Sequence, residues 1–337
     1  MIRFFIFFLV SAFILGIPIS TPSHAEGPLR AKIKQRMVEK TETAQAADVA
    51  DKITKPGDYN FSITHQGIVR LYRVHVPLRY SPARAAPLVF AFHGGGGDMD
   101  YMAREELYGL TGASNKEGFV LVFPNGYSKF ESGKFATWNA GTCCGDARDK
   151  KIDDVGFVKT MVGNISSQLN IDRTRIFATG MSNGGMMAHR LACELPDIFS
   201  AVASVAGTDS TTQCHPAQPV SVLHIHARND THVLFNGGAG EGSFRDESKV
   251  TDFTSVPETI NRWVKRNQCV PTPQRTLEVA GAYCDLYSSC QGGVGGKLCV
   301  TEAGGHSWPG GRKPRGDAPS KAISANDQIW TFFQGQK

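Results

Sequence analysis

Short apolar segments alternate with helix-like segments along most of this chain, and that alternation limits the folds it can adopt. Strands are predicted at 59–64, 68–76, 87–92, 119–123, 175–179, 201–205, 220–226 and 298–302. Helices are predicted at 154–169, 185–193, 256–266 and 325–333. Buried strands that alternate with helices form a mostly parallel central sheet with helices on both faces. We therefore predict one α/β domain.

A G-x-S-x-G motif at 180–184 lies between a predicted strand and a predicted helix. In this context the motif lifts a serine hydroxyl above the end of the sheet, at a helix N-terminus that favours developing negative charge. Gly180 and Gly184 allow the tight turn, because a side chain at either position would collide with the neighbouring strand or helix. Ser182 is therefore the predicted nucleophile.

A glycine-rich run at 93–97 directly follows the predicted strand at 87–92. Its position is typical of the loop that gives one backbone N–H to an oxyanion hole, while the residue after the nucleophile gives the other. We expect these donors to be Gly94 or Gly95 and Asn183. A plain turn and a phosphate loop are the alternatives, but a phosphate loop requires Gly-Lys-Ser/Thr, which the run lacks.

A serine nucleophile of this kind needs an acid and a base, in the chain order Ser, Asp or Glu, His. Asp230 follows the predicted strand at 220–226 by four residues, in a region where α/β sheets gather catalytic groups. His306 lies in a glycine-flanked loop after the strand-like segment 298–302. We predict that Ser182, Asp230 and His306 form a catalytic triad.

Several other residues after Ser182 could serve as the acid or the base. They are Asp197, Asp209, Asp246, Asp252, His189, His215, His224, His226 and His232. Structural roles are expected for His189, which lies on a predicted helix, and for the two histidines inside a strand. His224, His226 and His232 could in principle gather a metal, but no C-x-x-C or H-E-x-x-H motif is present. We expect no metal site and no cofactor.

Five segments between residues 87 and 310 carry recognisable motifs. They read P-L-V-F-A-F-H-G-G-G-G (87–97), W-N-A-G-T-C-C-G (138–145), D-D-V-G-F-V (153–158), I-F-A-T-G-M-S-N-G-G-M-M-A-H-R-L-A-C-E-L-P-D-I-F (176–199) and G-G-H-S-W-P-G (304–310). Together they resemble the polyhydroxybutyrate depolymerase and feruloyl esterase-like family of secreted α/β-hydrolases, over nearly the whole chain from about Pro56. The resemblance implies an α/β-hydrolase fold and a serine carboxylesterase acting on hydroxycinnamoyl, acetyl or 3-hydroxyalkanoyl esters. Ser182, Asp230 and His306 fall on the family's triad positions.

The segment around Asp230 departs from the family pattern. It reads H-I-H-A-R-N-D-T-H-V-L-F, whereas the family more often has H-G-T-x-D followed by V-P-Y. The unusual residues Ala227, Arg228, Leu234 and Phe235 flank the expected acyl pocket, so the family's substrate preference does not carry over directly. The resemblance leaves the assignment of Asp230 intact.

Two tryptophans lie in the family-like segments and are candidates for an aromatic acyl pocket. Trp138 belongs to the segment 138–145, and Trp308 follows His306 by two residues. Ordinary packing in the core is the alternative for both side chains.

The N-terminus has the pattern of a secretory signal peptide. Arg3 gives a basic start, residues 4–19 are almost purely apolar, and Ser23-His24-Ala25 supplies small residues at a cleavage site. The apolar run is shorter than the roughly 20 residues of a comfortable membrane span, although an uncleaved anchor is an alternative. We expect cleavage near Ala25, a polar flexible leader at 26–55, a catalytic domain at 56–337, and a secreted product.

All eight cysteines follow the predicted signal peptide, so disulfides are chemically permitted. Local topology suggests that Cys269 pairs with Cys290 and that Cys193 pairs with Cys214. Cys143 and Cys144 are adjacent, and we expect them to bond to other partners rather than to each other.

Charge and hydropathy exclude two classes of function. A net charge of +5 is too small to indicate nucleic-acid binding, and no segment after residue 25 is apolar enough to anchor the chain stably in a membrane. The predicted function is a secreted serine esterase acting on small-molecule or polymeric esters. A non-catalytic carbohydrate- or polymer-binding protein on the same fold is the alternative, and a peptidase is the third class. The sequence leaves the oligomeric state open.

Overall fold

The computed structural model describes residues 52–243 and 252–336. The predicted signal peptide and most of the polar leader therefore lie outside the described residues. Near the start of the described chain, Ile53 is buried in a hydrophobic core, so the packed domain includes the last residues of the segment predicted as a leader. No helix in the two described ranges is long and apolar enough to cross a bilayer.

Ten strands in the described ranges form one sheet. They are β1 Gly57–His65, β2 Ile68–Val76, β3 Ala86–Phe92, β4 Val120–Pro124, β5 Ile171–Met181, β6 Ala201–Val205, β7 Ser221–Ala227, β8 Gln274–Val279, β9 Ala282–Tyr287 and β10 Gly296–Thr301. Their spatial order is β1-β2-β4-β3-β5-β6-β7-β10-β9-β8. The strands from β4 to β10 in this order are parallel, and antiparallel strands extend both edges. The predicted mostly parallel sheet is confirmed.

The helices connect these strands. They are α1 Met99–Met102, α2 Glu105–Tyr108, α3 Leu110–Glu117, α4 Gly145–Asp149, α5 Asp154–Gln168, α6 Asn183–Glu194, α7 Val256–Arg266 and α8 Ala325–Gln334, with a 3₁₀ turn at Gln291–Gly293. The four predicted helices correspond to α5, α6, α7 and α8, with ends that differ by at most two residues. The short helices α1 to α4 lack a long apolar stripe, which explains why periodicity did not reveal them.

Side chains of β3 alternate between the two faces of the sheet. Leu88, Phe90 and Phe92 belong to the core on one face, and Val89 and Ala91 belong to the core on the other. A strand that is buried on both faces reads as a continuous apolar run in the sequence. Complete burial of a side chain the size of Phe90 contributes about 2–3 kcal/mol to folding.

Helices cover both of these cores. Residues of α5 and α6 and Trp263 of α7 pack into the first core. Leu110 of α3 and Trp330 and Phe333 of α8 pack into the second. A parallel sheet with helices on each face and a nucleophile-like turn after β5 is the α/β-hydrolase fold, as the sequence predicts.

Strands β8 and β9 were not predicted from the sequence. All six residues of β8 are exposed or only partly buried, so the strand shows no apolar alternation. Its partner β9 is fixed to β10 by the disulfide between Cys284 and Cys299, which face each other in the register of the two strands. The covalent link therefore anchors an extension of the sheet that has little core of its own.

All eight cysteines lie among the described residues and all are paired. Cys193 bonds to Cys214 and Cys269 bonds to Cys290, so both predicted pairs are confirmed. Cys143 and Cys144 bond to each other, and the prediction that they find other partners is wrong. The physical reason is that both side chains are buried and the other six sulfurs are already paired.

Candidate active site

Ser182 occupies the turn between β5 and α6 with backbone angles φ 56° and ψ −122°. Such positive φ is costly for a residue with a side chain and occurs where the surroundings enforce it. The Ser182 amide donates to the Val205 carbonyl at 2.8 Å, which ties the turn to β6. A Cβ at Gly184 would overlap the carbonyls of Phe92 and His93, so this position requires glycine. These contacts hold the serine above the end of the sheet.

Asp230 and His306 lie next to each other at the same end of the sheet. His306 Nδ1 is 2.8 Å from Asp230 Oδ2. The other carboxylate oxygen, Oδ1, accepts the backbone amides of His232 at 2.7 Å and Val233 at 3.0 Å. Asp230 is buried, and these bonds fix its orientation toward the imidazole.

Ser182 and His306 line one cleft, so the structure brings the three predicted triad residues together. Within the described chain, no hydrogen bond joins the Ser182 hydroxyl to His306. Catalytic hydrogen bonds are often long without substrate and tighten when it binds. The arrangement can therefore support attack by a serine assisted by a base.

The charge state of Asp230 follows from its surroundings. Burial opposes ionisation, but side-chain hydrogen bonds with His226 and His306 outweigh it and hold the pKa of Asp230 well below its usual range. The group is therefore a carboxylate at every pH at which an enzyme of this kind would work. A permanent negative charge beside His306 favours the imidazolium that forms when the ring accepts a proton.

The predicted oxyanion donors face the same cleft. Gly94, Gly95 and Asn183 all line it. A Cβ placed on Gly94 would lie 3.5 Å from Ser182 Cβ, which shows how closely the glycine loop approaches the serine. The Asn183 amide lies in the first turn of α6, where backbone N–H groups have no helical acceptor.

Two buried side chains fix the positions of these donors. The Asn183 side-chain amide exchanges two hydrogen bonds with the Trp138 backbone, at 2.7 and 3.0 Å. His93 bonds to the Gly94 carbonyl through Nδ1 and accepts the Gly126 amide at Nε2. Burial lowers the pKa of His93 to about 4, so the ring stays neutral and its Nε2 can accept a hydrogen bond. The sequence singled out the glycine run but not the role of its histidine.

Trp138 does not line the cleft, and its predicted place in an acyl pocket is not supported. Its side chain is fully buried, and its ring lies 5.1 Å from that of Phe92 and 5.0 Å from that of His93. Its indole N–H donates to the His93 carbonyl at 3.0 Å. Trp138 therefore supports the oxyanion loop from beneath, because its polar edge finds a partner there.

The cleft measures about 390 Å³ and has an aromatic wall. Trp308, Tyr108 and Tyr101 line it in succession, with ring centroids 5.7 Å apart for the first pair and 6.1 Å for the second. Trp308 thus lies where the sequence predicts. The two tyrosines come from α1 and α2, which the sequence did not reveal.

Among the described residues, one group could hold a metal ion. Asp230, His232 and His306 offer ligand atoms that all lie within 4.8 Å of one another. The rings of His232 and His306 are stacked 4.4 Å apart, and burial followed by the neighbouring His306 lowers the pKa of His232 to about 4. Because Asp230 and His306 are already hydrogen-bonded to each other, this group is better described as a triad with a stacked neutral histidine.

The other candidate acids and bases lie away from the cleft or outside the described residues. Asp197, Asp252 and His215 are exposed, and Asp246 lies outside the described ranges. Asp209 is buried and pairs with Arg266 at 2.7 Å. His189, His224 and His226 are buried behind Asp230.

A buried ion pair supports the segment beneath the cleft. Arg70 of β2 bonds to Asp154 Oδ1 at 2.6 Å, at the start of α5. The second oxygen of Asp154 accepts the Asn139 amide at 2.8 Å. Asn139 belongs to the segment 138–145, whose Cys144 lines the cleft, so the ion pair is hydrogen-bonded to a segment that reaches the site.

The buried histidines predict that acid destabilises the domain. Burial lowers the pKa of both His93 and His189 to about 4, while the unfolded chain titrates near the usual value of 6.5. The unfolded state therefore binds more protons below pH 6.5, and each residue costs up to roughly 3 kcal/mol of stability by pH 4. Thermal melts should show a constant midpoint above pH 6.5 and a falling midpoint between pH 6.5 and 4.

A pair of variants tests the source of this pH dependence. His189→Gln should flatten the fall in the thermal midpoint, whereas His215→Gln, at an exposed position, should leave it unchanged. A wild-type midpoint that stays constant from pH 7.5 to 4.5 would contradict the prediction.

Comparisons with known proteins find esterases. A family model described as Esterase PHB depolymerase matches residues 72–246. Feruloyl esterase B from Piromyces equi is 30% identical over 245 residues, and the alignment covers 71% of this chain but only 43% of that protein. The putative esterase NocK from Nocardia uniformis subsp. tsuyamanensis is 28% identical over 314 residues, covering 88% of each chain.

Solved structures show the same fold. An acetyl xylan esterase from Aspergillus awamori superimposes with a TM-score of 0.53 at 14% identity, over 82% of this chain and 99% of that one. At this identity the likeness concerns the fold alone. The matched family region contains Ser182 and Asp230, and His306 lies beyond it.

Proposed function

This chain belongs to the Esterase PHB depolymerase family, whose members are esterases, and from that premise we propose that it hydrolyses carboxylic esters through an acyl-enzyme on Ser182. His306 is the general base and acid in this proposal, and Asp230 orients it. The observation that carries the proposal is that the strained serine turn and the Asp230–His306 pair meet in one cleft.

The reaction proceeds in two halves. Ser182 Oγ attacks the ester carbonyl while His306 accepts its proton, and the amides of Asn183 and of Gly94 or Gly95 stabilise the oxyanion. The carbon–oxygen bond to the alcohol then breaks, and His306 gives its proton to the leaving oxygen. In the second half a water attacks the acyl-enzyme, gives a proton to His306, and releases the acid as the proton returns to Ser182.

We propose hydroxycinnamoyl esters, such as the feruloyl esters of plant polysaccharides, as the preferred substrates. The wall formed by Tyr101, Tyr108 and Trp308 offers aromatic faces and edges to a flat acyl group. A cleft of about 390 Å³ holds one such group. The names of the related proteins favour feruloyl or acetyl esters, and 3-hydroxyalkanoate esters are the other class that the family name suggests.

A substrate panel with one pair of variants tests this assignment. Wild type should hydrolyse p-nitrophenyl butyrate, and its kcat/KM for methyl ferulate should exceed that for methyl acetate. Trp308→Leu should lower kcat/KM for methyl ferulate about tenfold while changing p-nitrophenyl acetate hydrolysis less, because it removes part of the aromatic wall. Phe130→Leu replaces an exposed aromatic residue outside the cleft and serves as the control.

The outcomes separate the classes of function. Cleavage of poly(3-hydroxybutyrate) granules or acetylated xylan without cleavage of methyl ferulate would overturn the preferred substrate class. A folded wild type with no activity on any of these esters would favour the non-catalytic binding protein.

We further propose that the catalytic domain, 56–337, is exported. The support is the signal-peptide pattern of residues 1–25 and the four disulfides, which persist in oxidising compartments. The mass of the exported protein is the test, since it should lack residues 1–25.

A further inference from the structure

Four buried side chains form a hydrogen-bonded row behind the catalytic aspartate. The Trp263 indole N–H donates to His189 Nδ1 at 3.0 Å. His189 Nε2 lies 3.4 Å from His224 Nδ1, and His224 Nε2 lies 3.0 Å from His226 Nδ1. All four side chains are at most 1% exposed. The row joins α7, α6 and β7, which are distant in the sequence.

The row ends at Asp230. His226 Nε2 lies 2.9 Å from the Val233 carbonyl oxygen and 3.3 Å from Asp230 Oδ2. The same carboxylate oxygen is 2.8 Å from His306 Nδ1. A continuous line of polar groups therefore connects the indole of Trp263 to the catalytic imidazole.

The chemistry of the two ends fixes the direction of every hydrogen bond in the row. An indole N–H can only donate, so His189 Nδ1 is an acceptor and its proton is on Nε2. That proton requires His224 Nδ1 to accept, and the same step repeats at His226. At the other end, the Val233 carbonyl oxygen and Asp230 Oδ2 face His226 Nε2. Both oxygens can only accept hydrogen bonds, so Nε2 must carry a proton. Both ends demand the same tautomer of all three rings.

Burial keeps two rings of the row, His189 and His224, neutral. Burial lowers the pKa of His189 to about 4, and burial followed by the neighbouring His226 and His189 lowers that of His224 well below its usual value. Charged groups lie at both ends of the row. Asp209 and Arg266 flank His189, while His306, His232 and Lys313 cluster around Asp230.

We propose that His226 is a positioning residue for Asp230, and that Trp263, His189 and His224 lock the tautomer in which its N–H faces the carboxylate. This N–H is shared between the Val233 carbonyl at 2.9 Å and Oδ2 at 3.3 Å, so it restrains the carboxylate and draws off part of its negative charge while the shorter bond of Oδ2 goes to His306. The inference rests on the proposed function of the triad. It adds to the proposed catalytic triad a set of supporting residues that reaches as far as Trp263 on α7.

Variants of His226 test the role of its donor. His226→Leu fills the space without an N–H, whereas His226→Gln offers an amide N–H of similar reach. We expect the leucine variant to lower kcat about tenfold with KM within twofold, and the glutamine variant to recover most of this loss. The acidic limb of the pH–kcat/KM profile should move to higher pH in the leucine variant, because a carboxylate with one donor fewer attracts a proton on the adjacent imidazole more strongly.

His75→Leu is the matched control for a buried histidine. His75 is buried and hydrogen-bonded to Asp58 and Asn115, away from the row. This variant should lower the thermal midpoint without moving the pH profile. An unchanged pH profile and kcat in folded His226→Leu, or equal losses in the leucine and glutamine variants, would overturn the proposal.

The locked tautomer has its own test, which needs no mutation at His226. In ¹⁵N-histidine spectra of the wild-type protein at pH 7.5, three histidines should show the Nε2–H tautomer. Trp263→Phe removes the donor at one end and leaves the oxygens at the other, so the opposite tautomer should appear as a minor population at His189, the ring next to the lost donor, and kcat should fall less than in His226→Leu. A row with Nδ1–H tautomers in the wild type would contradict the inference. Failure of this inference can be told apart from failure of the proposed function. If the proposed function were wrong, ester hydrolysis would not depend on Ser182, whatever the histidine spectra show.

Discussion

Ser182→Ala should lower kcat for p-nitrophenyl butyrate by about 10⁴- to 10⁶-fold, leaving a residual rate about 10³- to 10⁴-fold above that in water. The reason is that in the proposed mechanism Ser182 Oγ bonds to the acyl group, so without it no acyl-enzyme can form. The oxyanion donors and the cleft remain, and they account for the residual rate. Steady-state kinetics of the purified variant, corrected for spontaneous hydrolysis, measure this loss.

The fold should tolerate this substitution. Alanine has the same Cβ as serine, and the turn at Ser182 is held by its backbone bond to Val205 and by close contacts at Gly184. Ser210→Ala is the matched control, since Ser210 is buried with an unpartnered hydroxyl and lies outside the cleft. It should keep wild-type activity within about twofold. A Ser182→Ala protein that retains a tenth of wild-type kcat would show that another group is the nucleophile.

Asp230→Asn should lower kcat by about 10⁴-fold at neutral pH. The present carboxylate only accepts hydrogen bonds, and its pKa is held well below the usual range, so it fixes His306 with a proton on Nδ1. An asparagine can present an N–H to that nitrogen and favour the opposite tautomer, in which Nε2 cannot take the serine proton. The kcat of the purified variant between pH 6 and 9 gives the measurement.

A control separates this effect from a general loss of charge. Asp197 is also an acid that follows Ser182, but it is exposed. Asp197→Asn should change kcat by less than twofold. If Asp230→Asn kept more than a tenth of wild-type kcat while folded, the acid of the triad would lie elsewhere.

The residues whose roles the sequence predicted are those with a local signature. Ser182 stands in a glycine-flanked turn between a strand and a helix, and His306 stands in a glycine-flanked loop after a strand. Asp230 follows the end of β7 by three residues. In each case the neighbouring residues in the chain indicate that the side chain lies at the end of the sheet. The order of strands and helices was therefore sufficient to predict these three positions.

The residues that the sequence missed owe their roles to contacts between distant elements. His232 stacks on His306, 74 positions further along the chain, and nothing in the sequence near either residue indicates this contact. The row from Trp263 to His226 draws its members from α7, α6 and β7. Sequence periodicity reveals that such side chains are buried but not which polar atoms meet.

Local sequence left the place of Trp138 open between pocket and packing, and it misled for the cysteine pair. Trp138 precedes Cys143 by five positions in the chain. An aromatic residue near a cleft can either line the cleft or pack behind the residues that line it. The structure places its indole under the His93 carbonyl, so it supports the loop. Cys143 and Cys144 pair with each other because the partners available to them depend on the whole set of cysteine positions, which local topology does not give.

The most direct test of the proposed mechanism is to trap the acyl group on the protein. Trypsin should release residues 176–190 as one peptide, and Ser182 is the single serine within it. After rapid acid quenching during turnover of p-nitrophenyl butyrate, this peptide should carry the mass of one butyryl group, with fragmentation placing it on Ser182. Turnover with no label on this peptide, or with the label on another residue, would contradict the mechanism.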